Sequence, residues 1–209
     1  MTILLRDMFL LPLKIMINPA RGFNELKFEG RGSPAHIPLL FLLMCISFSF
    51  QRQYVGFALS QPFPMGFNIL FDFTLVTIAY LLFCVGNWSV TCLMDGSGKL
   101  SEIMMCVAYS FTPMILVFIP ATLASNLLTR DEGGFYFMVI GLAVFWFLMM
   151  MFTALIIIHE YTFARMVFTM FLTVLSVLFI VFILGLIASL VQQMIMYFVA
   201  VYNELVYRL

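Results

Sequence analysis

Residues 135–158 read FYFMVIGLAVFWFLMMMFTALIII and contain no charged side chain. At about 1.5 Å per residue, a helix of this stretch is longer than the ~30 Å hydrocarbon core of a bilayer. Such a run is typical of a membrane-spanning helix. In the whole chain, 64% of residues are hydrophobic and 10% are charged, whereas soluble domains carry roughly 25% charged residues. We therefore expect the lipid bilayer to be the main surroundings of this protein.

Further apolar blocks lie on both sides of this stretch, separated by short breaks that contain charges, glycine or proline. A charged residue at the centre of a membrane helix costs roughly 2.5–3.5 kcal/mol on insertion scales, so the breaks mark the ends of spans. The first block is interrupted at Gln51-Arg52-Gln53, where we expect it either to end or to continue as an interfacial turn. The sequence predicts five spans: residues 37–59, 68–94, 102–128, 135–158 and a last one that begins near 166.

The two ends of the chain have a different pattern. Near the N-terminus the apolar stretches are short and broken by charges, which favours an amphipathic helix in the membrane plane. Asn18-Pro19 predicts an N-cap followed by proline at the first helical position. The fold class is therefore all-α, a polytopic membrane protein with an N-terminal interfacial helical segment. The predicted domains are a cytoplasmic or interfacial segment (1–35), a five-helix transmembrane domain (36–191) and an amphipathic helical tail (192–209).

Lysine and arginine predict the orientation, because they are enriched on the cytoplasmic side of membrane proteins. With the N-terminus inside, seven basic residues lie in the cytoplasm and three outside, so we expect a cytoplasmic N-terminus and an extracytoplasmic C-terminus. Ten basic and ten acidic residues balance, and no basic field suited to nucleic acid results. The inside set is Arg6, Lys14, Arg21, Lys27, Arg31, Lys99 and Arg165; the outside set is Arg52, Arg130 and Arg208.

Motifs for catalysis, cofactors and metals are not recognised in the sequence. His159-Glu160 begins like a zinc protease helix, but Phe163 stands where HExxH needs its second histidine. Gly96-Ser97-Gly98 lacks the GxSxG pattern of a serine nucleophile. The four cysteines fall in predicted spans without a CxxC motif. We expect a non-enzymatic protein without cofactor or metal.

Polar residues within the spans predict contacts between helices, because membrane depth makes unpaired polar groups costly. Arg52 and Asp72 lie at the outer ends of neighbouring spans and predict an ion pair, with a proton or ion relay as the alternative. In the second span, Tyr80, Cys84, Asn87 and Thr91 recur on one helical face, as follows from their spacing. That face is interpreted as packing against the bundle, with a ligand groove as the alternative.

Two prolines fall in the third span, and each removes a backbone donor and bends the helix. Pro113 and Pro120 are seven residues apart and bend nearly the same face. A kinked helix of this kind either receives a neighbouring helix or lines a transport path.

Several short motifs in a fixed order resemble the Yip1 domain family. The middle of the chain carries Asn87-Trp88, then Asp95-Gly96-Ser97-Gly98-Lys99, then Glu102 and Ala108-Tyr109-Ser110 with Pro113. Asn18-Pro19 with Phe23 is similar to the beginning of that domain, and His159-Glu160-Tyr161 is similar to the turn before its last span. The likeness covers about residues 15 to 190.

The resemblance implies five membrane spans, a cytosolic N-terminal region and a glycine-rich turn before a proline-bearing third helix. Bacterial members of the family occur alongside sugar-type ABC transporters, whereas eukaryotic relatives act with Rab GTPases in vesicle traffic. Because the chain lacks the long polar N-terminal extension of eukaryotic members, we expect a bacterial protein of the cytoplasmic membrane.

The matched residues are predicted to gather at the cytoplasmic ends of the helices. There they either shape a structural turn, with Gly96 and Gly98 supplying positive φ angles, or form a docking surface. The leading hypothesis is a scaffold or accessory subunit that binds an ABC transporter permease or a second copy of itself. The alternative is a small permease or lipid-handling protein with a path beside the proline-kinked third helix. The predicted cluster is Asn87, Trp88, Asp95, Gly96, Gly98, Tyr109, Pro113 and His159.

Overall fold

The computed structural model describes residues 2–29, 36–59 and 68–208, with side chains from residue 10 to residue 207 within these ranges. Arg31 and the side chains of Arg6 and Arg208, which entered the charge count, lie outside the described part. The regular structure of the described residues is α-helical. The helices are α1 (Thr2–Ile17), α2 (Pro19–Phe28), α3 (His36–Tyr54), α4 (Ile69–Leu93), α5 (Leu100–Ser110), α6 (Thr112–Ser125), α7 (Gly133–His159) and α8 (Phe163–Arg208).

Four stretches of the described chain are long and apolar enough to cross a membrane, which agrees with the second to fifth predicted spans. They are Ile69–Leu93, Leu100–Ser125, Gly133–His159 and Phe163–Tyr207. The first predicted span corresponds to α3, which ends at Tyr54 rather than at residue 59. It is not among the four because Gln51-Arg52-Gln53 lies within its last turn. The protein is a helical membrane protein, and its count of five spans stays a prediction.

The third span is broken into two helices near Pro113. Helix α5 ends at Ser110 and α6 begins at Thr112. Hydroxyl groups satisfy carbonyls around the break: Ser110 Oγ donates to the Cys106 carbonyl at 2.8 Å, and Thr112 Oγ1 donates to the Tyr109 carbonyl at 2.6 Å. The kink expected from proline is therefore located at the α5–α6 junction. This broken span packs against α3 and α7.

Helices α1 and α2 form a hairpin whose turn follows the prediction. Asn18 Oδ1 accepts the backbone N–H of Arg21 at 3.4 Å, with Pro19 in the first turn of α2. The two helices approach closely at Gly22, where an added Cβ would lie 2.8 Å from the Cα of Ile15.

The hairpin packs onto the bundle and shares an apolar core with it. Ile15 and Phe23 are fully buried in a cluster with Met150 and Ala154 of α7. The indole N–H of Trp146 donates to the Met16 carbonyl at 3.2 Å. The position of the hairpin in the membrane plane stays a prediction, but its inner face belongs to the protein core.

Helix α8 is the longest element, and only its first part packs against the rest of the protein. It begins beside the end of α4 and runs antiparallel to it, and an added Cβ at Gly86 would lie 2.6 Å from Val177 Cγ2. The described side chains from 181 to 207 are all exposed. The helix continues through Gln192-Gln193 without interruption, so the predicted tail is part of α8.

Candidate functional site

Three chain segments meet where α4 and α7 end. They are the last part of α4 with the turn after it, the link between α7 and α8 with the first turns of α8, and the end of α2. We call this set the polar hub; its members are Lys27, Asn87, Gly96, Ser97, Gly98, His159, Glu160, Tyr161 and Thr173. It includes four residues of the cluster predicted from the sequence, namely Asn87, Gly96, Gly98 and His159.

Lys27 ties α2 to the end of α7. Its ammonium donates to the carbonyls of Ile157 at 3.2 Å and Ile158 at 2.8 Å, and it pairs with Glu160 Oε1 at 2.6 Å. The last carbonyls of a helix have no partner within that helix and carry the negative end of its dipole. A cation with only 13% of its side chain exposed stabilises that end. Lys27 therefore acts as the C-terminal cap of another helix.

A buried chain of hydrogen bonds joins α7, α4 and α8. Asn87 Nδ2 donates to Thr173 Oγ1 at 3.1 Å, and Thr173 Oγ1 donates to the Thr169 carbonyl at 2.8 Å. This order turns Asn87 Oδ1 toward His159 Nε2, 3.3 Å away, so that Nε2 must carry the proton. His159 Nδ1 is buried and accepts no hydrogen bond.

The turn after α4 has a different geometry from the predicted one. The residue with positive φ is Asp95, at 53°, and its counterpart after α7 is Glu160, at 55°. The prediction that Gly96 and Gly98 supply positive φ was wrong, because no such angle occurs at either glycine. The reason for glycine is space: an added Cβ would lie 2.8 Å from His159 Nδ1 at position 96 and 2.4 Å from Ile158 Cγ2 at position 98.

We expect Gly98→Ala to lower the free energy of unfolding by about 1–2 kcal/mol, because the methyl group forces the end of α7 away from the turn. Thermal unfolding in mild detergent measures the change. Gly141→Ala in α7 is the matched control, since an added Cβ there has no neighbour within 4 Å. Equal midpoints for the two variants would contradict the close contact.

Tyr161 and Arg165 both reach the carbonyl at the end of α4. The Tyr161 hydroxyl donates to the Met94 carbonyl at 2.9 Å, and Arg165 Nη2 donates to the same oxygen. Arg165 also lies over the Tyr161 ring, 4.4 Å from its centroid. Burial raises the pKa of the Tyr161 phenol, and Arg165 opposes that rise. The phenol therefore remains a proton donor at neutral pH.

The other predicted cluster residues lie outside the hub. Tyr109 is fully buried in α5, where its hydroxyl is 2.6 Å from His36 Nδ1. Pro113 is buried in the first turn of α6. Trp88 is 40% exposed on α4, and Asp95 is exposed next to the hub. Tyr109 and Pro113 therefore contribute to the packing of the bundle, and Trp88 and Asp95 reach its surface.

The predicted pair of Arg52 and Asp72 is in contact at the opposite end of the bundle. Arg52 Nη1 donates to Asp72 Oδ1, with 20% and 2% of the two side chains exposed. The other carboxylate oxygen, Oδ2, is buried without a hydrogen bond. Close by in the chain, the backbone N–H of Gly56, two residues after the end of α3, donates to Ser125 Oγ of α6 at 2.9 Å. These contacts stabilise the end of the bundle that lies opposite the hub.

Two residues of functional interest were missed by the sequence analysis. Lys27 was considered as a basic residue but not as a contact between helices, and His36 was not considered. Both make contacts across long separations, 131 residues from Lys27 to Ile158 and 73 residues from His36 to Tyr109. The one available signal was that both are polar residues next to predicted apolar helices.

Apolar helices long enough to cross a membrane, joined at one end by a partly buried polar hub, define a multi-span helical membrane protein. The family model of the Yip1 domain matches residues 13–201, and the chain belongs to the Yip1 domain family. The matched range covers the hub, the broken third span and most of α8. Comparison with curated proteins and with solved structures gave no match.

Proposed function

We propose that the protein is a non-enzymatic scaffold or accessory subunit of the cytoplasmic membrane, with the hub end as its docking surface. The observation that carries the proposal is the contact of Lys27 with the end of α7, which fixes the N-terminal hairpin to the α7–α8 link. A docking surface needs rigid backbone, and here three distant segments are held together. The partner is an ABC transporter permease or a second copy of the chain.

The distribution of exposed charged side chains supports a docking surface at the hub end. Asp95, Lys99, Glu160 and Arg165 are exposed around the hub, whereas the surfaces of α7 and α8 are largely apolar. Mixed charges at the rim of an interface select partners and steer their approach. The surface would recognise a partner loop with complementary charges close to the membrane.

The orientation is part of the proposal. Lys27, Lys99 and Arg165 lie at the hub end, and Arg52 and Arg130 lie toward the other end of the bundle. The excess of basic residues supports a cytoplasmic hub. With α3 as a fifth span, the C-terminus is extracytoplasmic.

Packing favours the scaffold over a permease with a path beside the third span. Phe118 of α6 is 2% exposed and Ile103 of α5 is fully buried within the main apolar cluster. The broken span therefore packs against neighbouring helices. This arrangement favours the interpretation that its prolines accommodate a neighbouring helix over the interpretation that they line a transport path.

We expect Asp95→Asn to weaken co-purification of the partner several-fold without reducing membrane insertion. Asparagine tolerates the left-handed backbone at this position, so the variant removes charge and keeps the turn. Asp131→Asn, an exposed aspartate after α6, is the matched control. Asn87 and Tyr109, both fully buried, would report on folding rather than docking. Unchanged co-purification with Asp95→Asn would count against the docking surface.

A further inference from the structure

An open groove lies between α4 and α8 next to the hub, on the outer side of the helix pair. Its volume is about 640 Å³, within the range of roughly 300–1,000 Å³ of small-molecule sites. Eight of the ten lining residues are apolar. The lining is Ser89, Val90, Leu93, Met94, Leu172, Leu175, Ser176, Leu178, Phe179 and Phe182.

We propose that this groove binds one anionic glycerophospholipid, with an acyl chain along the groove and the phosphate at Arg165, because a cation favours a head group of net negative charge. The groove shares Arg165 with the rim of the docking surface, but its binding of lipid does not require a protein partner at the hub. Its occupant follows from three features: the apolar lining, the cation at one end and the length of the groove.

The cation is held at the end of the groove. Met94 lines the groove, and its carbonyl accepts a hydrogen bond from Arg165 Nη2. The guanidinium has five N–H donors in a planar fork that suits phosphate. The Arg165 side chain is exposed and lies over the Tyr161 ring, which fixes its direction and leaves further donors for a phosphate oxygen.

The length of the groove matches the hydrocarbon thickness of one leaflet of the bilayer. The α8 residues of the lining extend from Leu172 to Phe182, and ten steps of a helix cover about 15 Å. One leaflet contributes about half of the ~30 Å hydrocarbon core. Arg165 lies near the beginning of α8, at the level where a membrane helix meets the headgroups. A lipid with its phosphate there places its chain alongside the groove.

The groove is tested by quenching of tryptophan fluorescence with brominated phosphatidylglycerol in vesicles of phosphatidylcholine. The reporter is Leu175→Trp, and Leu142→Trp on the exposed face of α7 is the control; both carry Trp88→Phe and Trp146→Phe. We expect the groove reporter to saturate at a low fraction of brominated lipid. The control should follow the bulk lipid composition.

Two further variants separate the contributions of the cation and the groove. Arg165→Gln should raise the fraction of brominated lipid needed for half quenching by about tenfold, as expected for one charge-assisted hydrogen bond. Ser176→Phe, which fills the groove from a half-buried position, should abolish saturation while the control is unchanged. Brominated phosphatidylcholine competes with the same head group in the vesicle, so it should follow the bulk composition at both reporters; saturation at a low fraction by this lipid would contradict recognition of the anionic head group.

Identical quenching curves for the two reporters would overturn the proposal. A groove reporter shielded from every brominated lipid, in a protein that sediments as a dimer, would also overturn it, because a second copy would then occupy the groove.

Discussion

Replacing Arg52 by leucine is expected to lower the free energy of unfolding by about 3 kcal/mol, because a buried carboxylate then loses its counter-charge. Asp72 is 1% exposed, and its Oδ1 accepts the bond from Arg52 while Oδ2 is buried without a partner. With so little of the Asp72 side chain accessible, water is a poor substitute for the guanidinium in the folded state. Equilibrium unfolding of the purified protein in mixed micelles measures the loss.

The double variant Arg52→Leu with Asp72→Leu separates the cost of a lone charge from the contribution of the pair. Well-packed apolar residues replace a buried ion pair with little loss, so the double variant should recover most of the stability. Arg130→Leu, an exposed arginine at the same end, is the control and should change little. A double variant less stable than Arg52→Leu alone would contradict this explanation.

The second large effect is expected for Lys27→Met, which keeps the aliphatic stem and removes the ammonium. The Ile157 carbonyl then loses the ammonium and the Ile158 carbonyl keeps only the Ser97 hydroxyl, at a cost of about 2–3 kcal/mol for hydrogen bonds to a charged group. The end of α2 should separate from α7 before the bundle unfolds. Hydrogen exchange of the amides of α2 should become faster, and the exchange of α4 should stay unchanged.

Two variants make the Lys27 experiment specific. Lys99→Met removes an exposed cation near the hub and should leave exchange in α2 unchanged. Lys27→Arg keeps the charge and should retain part of the protection. If α2 is equally protected in Lys27→Met and in the unmodified protein, Lys27 does not hold the hairpin.

Much of the fold could be predicted because lipid imposes a simple rule on sequence. Long uncharged runs such as 135–158 identify spans, and the ends of the second, third and fourth predicted spans agree with the helices to within three residues. The Asn18-Pro19 cap was confirmed for a different reason, since capping depends only on neighbouring residues. The membrane class and the family are both shown by the structure and by the family match.

The hub was only partly predictable, because its contacts join residues far apart in the chain. Asn87 and His159 were placed at the same end, but their hydrogen bond depends on how α4 and α7 pack. The sequence pattern also led to a wrong explanation of why glycine is needed at positions 96 and 98. Glycine serves two physical needs, a positive φ angle and a lack of side-chain volume, and only the position of His159 distinguishes them.

The contacts of the α1–α2 hairpin were also not predictable from the sequence. The short apolar stretches near the N-terminus predict an interfacial helix, but the complete burial of the Ile15 and Phe23 side chains becomes evident only when α7 is in place. Hydrophobic pattern indicates that a face is buried and does not indicate which element buries it.

The central claim is that the hub faces the cytoplasm and the Arg52–Asp72 end faces the other side. Labelling of single cysteines with a membrane-impermeant maleimide tests it most directly, using Ser97→Cys at the hub and Arg130→Cys at the other end. Cys92, the exposed native cysteine, is replaced by serine; the remaining three are buried. We predict that residue 97 reacts only in inside-out vesicles and residue 130 only in intact cells. Reaction of residue 97 from outside the cell would contradict the orientation and the docking surface together.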